Sequence, residues 1–74
     1  MERTVFAIDD DYIELSSLLK ALALCATGGE AKQLIAGGHV RVDGEIEQRR
    51  KRKLRAGSVV ECAGQCITVI TAQV

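Results

Sequence analysis

Six of the eight residues from Gln48 to Arg55 are cations: Arg49, Arg50, Lys51, Arg52, Lys53 and Arg55. Like charges this close repel one another, and either solvent or an anionic partner must relieve the strain. A run of this kind is often no more than a solvated loop. Leu54 interrupts it, however, and Ala56-Gly57 follow, so the segment is expected to be anchored to a core and not left as a loose tail. Lys32 and Arg41 are expected on the polar sides of neighbouring elements, where they extend the patch. The chemistry on offer is contact with the phosphates of a polyanion.

The chain of 74 residues has ten basic and ten acidic side chains, and so no formal net charge. Their distribution is uneven. Five acids and one base lie between Met1 and Glu14, whereas the basic run contains no acid. A polyanion meets the local field, because charges beyond about 8–10 Å are largely screened at physiological salt. Overall neutrality is a weak objection to a nucleic-acid partner.

Catalysis finds no support. His39 is the only histidine, and no nucleophile elbow, nucleotide-binding glycine loop or metal-ligand spacing is present. Cys25, Cys62 and Cys66 offer one Cys-x3-Cys spacing, too few ligands for a zinc site, and reduced thiols are expected. Asp9-Asp10-Asp11 could gather a cation, but consecutive acids more often mark the start of a helix. The expectation is a binding protein with no cofactor and no metal. No apolar run approaches the roughly 20 residues of a membrane helix. No secretion signal is evident either, so a cytoplasmic, membrane-free location is expected.

Local patterns supply the elements that must position the cations. Thr4 to Ile8 reads as a strand, and Asp11 with Glu14 as the cap of a first helix carrying Leu15, Leu18, Leu19 and Leu22 on one face. Thr27 and Glu30 have the spacing of a capping box, opening a second helix that buries Ala31, Leu34 and Ile35 and stops at Gly37-Gly38. Val40 to Glu47 is a hairpin around Asp43-Gly44, with Val40, Val42 and Ile46 alternating against charged residues. Val59–Cys62 and Cys66–Ile70 are two more strands, separated by a turn at Ala63-Gly64-Gln65. The prediction is one α+β domain spanning residues 1–74, two antiparallel helices packed on a small, mostly antiparallel sheet.

Thr27, Gly28 and Gly29 are a candidate phosphate seat, because a helix N-terminus presents unpaired amides and Lys32 lies one turn on. The same glycines equally suit a tight connection between helices. Phe6 and Tyr12 are the only aromatics, too few for a reader that stacks successive bases. Contact with phosphates and with the shape of folded RNA fits better. No predicted helix has a basic face for the major groove of DNA.

The segments Leu18-Leu19-Lys20-Ala21-Leu22, Thr27-Gly28-Gly29-Glu30-Ala31-Lys32 and Gly38-His39-Val40-Arg41-Val42-Asp43-Gly44 together resemble the S4-type RNA-binding domain. Glu47-Gln48-Arg49-Arg50-Lys51-Arg52-Lys53-Leu54 is similar to a run in its stand-alone bacterial form, and the likeness spans roughly Ile13 to Cys62. The resemblance implies an αL RNA-binding motif with ribosomal or transfer RNA as partner, and association with the ribosome and a monomeric state are expected. It also implies that Lys32, Arg41 and the Arg49–Arg55 cations line the binding face. Many members have Ser-Arg-Ser where this chain has Thr27-Gly28-Gly29, which shifts weight onto the later cations. Two other readings compete: a module whose basic run docks an acidic protein, and an accessory factor to an RNA-modifying enzyme.

Overall fold

The computed structural model describes residues 1–72. Its elements are β1 (Glu2–Ile8), β2 (Ile13–Glu14), α1 (Leu15–Ala21), α2 (Gly28–Ala36), β3 (Arg41–Val42), β4 (Glu45–Ile46), β5 (Lys53–Leu54), β6 (Val59–Cys62) and β7 (Gln65–Thr71). Five strands form a sheet in the order β1-β7-β6-β3-β4, and β2 pairs with β5 in a small second ladder. The pairings are antiparallel except β1 with β7, which run parallel from Glu2↔Gln65 to Ile8↔Thr71. The α+β class and the mostly antiparallel sheet match expectation.

The helices pack on one face of this sheet. Leu15, Leu18 and Leu19 of α1 and Ala31 and Ile35 of α2 meet Ile8, Val42, Val60, Ile67 and Val69 in one buried cluster. Spacings of three and four on the helices, and of two on the strands, put these side chains on facing surfaces. Leu54 is fully buried in the same cluster, which fastens the basic segment to the core. The opposite face of the sheet is open.

The first helix departs from expectation. Asp9 to Asp11 lie in a bend ahead of β2, and Glu14 occupies the cap position without a side-chain cap bond. The cause is non-local: Ile13 and Glu14 are drawn into pairing with Leu54 and Lys53, so the helix begins only at Leu15. The second helix follows its local code more closely. Thr27 Oγ1 accepts the Glu30 amide at 3.2 Å, while the Glu30 carboxylate accepts the Ala26 amide at 2.8 Å, one residue earlier than expected. Gly38 ends α2 at φ 79°, and the His39 amide donates to the Leu34 carbonyl.

Asp43 (φ 52°) and Gly44 (φ 86°) both adopt the left-handed conformation of a type I′ turn. The resulting register sets Ile46 opposite Arg41 on the open face, where it is 58% exposed and not a core residue. A second turn of the same hand joins β6 to β7 through Ala63 (φ 52°) and Gly64 (φ 76°), and Gln65 already belongs to the strand. An alanine side chain is strained there. Replacing Ala63 with Asn, which tolerates this conformation, is expected to stabilise the fold by about 0.5–1 kcal/mol. A urea midpoint that does not rise would refute this reading of the turn.

Candidate nucleic-acid interface

Residues 47–55 run from one helix to the other. Gln48 Nε2 donates to the Ala36 carbonyl at the C-terminal end of α2, at 3.1 Å. At the other helix, the Leu15 and Ser16 amides donate to the Arg52 and Arg50 carbonyls at 2.9 and 3.0 Å. These bonds satisfy two amides that the start of a helix leaves unpaired, the task a capping side chain would otherwise perform. The cationic segment is therefore the cap of α1. Its backbone is held at both ends and its buried Leu54 holds it from below.

Glu47 lies beneath the run and is only 8% exposed. Its Oε2 accepts the backbone amide and the Nε of Arg49, each at 3.1 Å. Its Oε1 accepts Arg49 Nη2 at 3.2 Å and Arg52 Nη1 at 2.6 Å. The bonds from Arg49 are the chief reason its carboxyl is held down at about 2; burial opposes them and the Arg52 bond reinforces them. One carboxylate thus orients two guanidinium groups. The Arg49 side chain remains 74% exposed and that of Arg52 35% exposed, so both still face outward.

Lys32 and Ala36 of α2 face Gln48 to Lys53 across an open hollow of about 790 Å³. The structure brings Lys32, Arg49, Arg50, Lys51, Arg52 and Lys53 together there. Arg41 is exposed on β3 but borders a different hollow, with Gly38, His39 and Glu61. Arg55 borders a third, facing Asp9, Asp10 and Asp11. Thr27, Gly28 and Gly29 are exposed and do not line the cationic hollow, and Glu30 sets a carboxylate at that helix end.

Two further residues organise this surface, Glu47 and Tyr12. In sequence Glu47 is a hairpin residue, and its one signal is that it stands two positions before the first cation, Arg49. Tyr12 is one of only two aromatics in the sequence and carries no local signal of a role. Its ring lies 4.9 Å from Lys53 Nζ and 5.8 Å from Arg55 Cζ, measured to the centroid. Elsewhere, Cys25 and Cys62 are buried, and burial is the main cause pushing both thiols up. Among the described residues no group of three or more His, Cys, Asp or Glu side chains could hold a metal ion. No helix among them is long and apolar enough to cross a membrane.

A helix pair and the hairpin after it, with a cationic hollow between α2 and residues 48–53, define a domain of the αL type. The family model described as the S4 domain matches residues 6–70, and the chain belongs to that family. YbcJ of Escherichia coli (strain K12) is 41% identical over 59 residues, covering 80% of this chain and 84% of YbcJ. The solution structure of YbcJ from E. coli, described as revealing an αL motif involved in RNA binding, matches with a TM-score of 0.69 and 37% identity. That match covers 90% of this chain and 86% of the other. The Bacillus subtilis (strain 168) protein named "Probable ribosome maturation protein RlbA" is 40% identical over 58 residues, 78% of this chain and 82% of its own. The 30S ribosomal protein S4e of Thermoplasma acidophilum matches with a TM-score of 0.64 and 29% identity, over 78% of this chain and 31% of S4e.

Proposed function

We propose that this protein binds structured RNA, ribosomal or transfer RNA, by seating phosphates in the hollow between α2 and residues 48–53, and catalyses nothing. The observation that carries this reading is the anchoring of the basic run. A solvated loop has no need of two helix-terminal amides, a side-chain bond to α2 and a buried leucine to fix its course. Fixed cations lose less conformational freedom on meeting phosphates than mobile ones do. Lys32, Arg50, Lys51 and Lys53 supply charge, while Arg49 and Arg52 are presented in set orientations by Glu47. Arg41 and Arg55 flank the hollow and extend contact to either side. The relatives described by RNA binding and by ribosome maturation favour an RNA of the translation machinery, encountered in the cytoplasm.

Salt dependence tests this directly. If Lys32, Arg50, Lys51 and Lys53 each neutralise a phosphate, the log–log slope of affinity against salt falls near −3 to −4. A flat dependence would count against phosphate recognition. Crosslinking in cells followed by sequencing of the bound RNA would identify the target. A partner that survives nuclease treatment during purification would point instead to an acidic protein.

A further inference from the structure

Tyr12 sits at the margin of the cationic hollow and plays no part in the core. In the β2–β5 ladder, Ile13 pairs with the buried Leu54 and Glu14 with Lys53. Alternation along β5 therefore sends Lys53 and Arg55 to the side away from the core. Tyr12 joins them there, 40% exposed, with both cations within 6 Å of its ring. Lys53 also lines the hollow, so ring and hollow form one continuous surface. Acidic residues also border Tyr12, since Asp10, Asp11 and Glu14 line a recess with it, and Glu14 stands beside Lys53 in the ladder. Phosphates are repelled where those carboxylates cluster, whereas an uncharged base is not.

We propose that Tyr12, Lys53 and Arg55 form a seat for one unpaired nucleotide, its base on the ring and its phosphate between the two cations. This rests on the RNA-binding reading above and adds to it a preference for RNA with an unpaired nucleotide beside a helix. A single aromatic suffices for this, because one base is stacked and the rest of the contact is electrostatic.

The chain has one tyrosine and no tryptophan, so its intrinsic fluorescence reports Tyr12 alone. Two probes suffice: an RNA hairpin with an unpaired four-nucleotide loop, and a blunt duplex with the sequence of its stem. The hairpin is expected to quench Tyr12 and the duplex to leave it unchanged. Tyr12→Leu is expected to bind the hairpin roughly tenfold more weakly with no change toward the duplex, and Tyr12→Phe to retain wild-type affinity. Hairpin binding without quenching and without loss in Tyr12→Leu would overturn the seat and leave the hollow standing. An equal loss on both RNAs would also overturn it, marking Tyr12 as a structural residue. Failure of the wild-type protein to bind either RNA would overturn both proposals.

Discussion

Reversing the charge of Lys32, Arg50, Lys51 and Lys53 together is expected to weaken RNA binding at least about 100-fold, with the fold intact. All four are exposed, line the hollow and stand outside the ion pairs of Glu47. The choice of residues is a consequence of the structure. A set drawn from the sequence alone would include Arg49 and Arg52, and reversing those would place new carboxylates against the buried one. Lost binding would then be indistinguishable from lost folding. Fluorescence anisotropy with labelled RNA measures the affinity, and a thermal scan checks that the variant is folded. Unchanged affinity in a folded variant would remove the hollow as the binding site.

Replacing Glu47 with Gln is expected to destabilise the fold by about 1–2 kcal/mol, a figure discounted for the solvent around Arg49. For a domain of this length that lowers the melting temperature by about 5–15 °C. The same substitution should flatten the acid limb of stability. Glu47 titrates at about 2 in the folded chain against 4.5 as its ordinary value, so the unfolded chain binds the proton more readily. Its contribution is fully present above about pH 4.5 and is lost as the pH falls from there toward 2. Urea midpoints between pH 7 and pH 3 should converge for the two proteins as the pH drops. Parallel profiles would show that Glu47 contributes nothing to acid sensitivity. Binding offers an independent readout, because the variant gains a net positive charge. A count of charges predicts tighter RNA binding, whereas the loss of two oriented guanidinium groups predicts weaker binding, and weaker is the expected result.

Where neighbouring residues dictate conformation, the sequence was readable. Thr27 and Glu30 open α2, Gly38 closes it, and Asp43-Gly44 turns the hairpin, each through contacts within four or five positions. The leucine spacing of α1 was equally clear, but its first residue was not. That boundary is set by the pairing of Ile13 with Leu54, and a two-residue ladder leaves no periodicity to read. The site divides in the same way. The cations and Lys32 were evident from charge and helical phase. The role of Glu47 was not, since two arginines must fold back onto it before it becomes a buried carboxylate. Tyr12 acquires its cationic neighbours only across strands.

The parallel ladder between β1 and β7 also bears on the order in which the chain assembles. It is the seven-pair ladder that joins Glu2 to Gln65 and Ile8 to Thr71, almost the full length of the chain apart. Closing a loop of that length forfeits on the order of 3–4 kcal/mol of chain entropy before the pairing returns anything. The helix pair and the β3–β4 hairpin close over short stretches and form without that penalty. Docking of β1 is thus expected to come late in folding. Substitutions in β1 should speed unfolding more than they slow folding. An intermediate lacking β1 would already hold α2, the wall of the cationic hollow that carries Lys32 and Ala36.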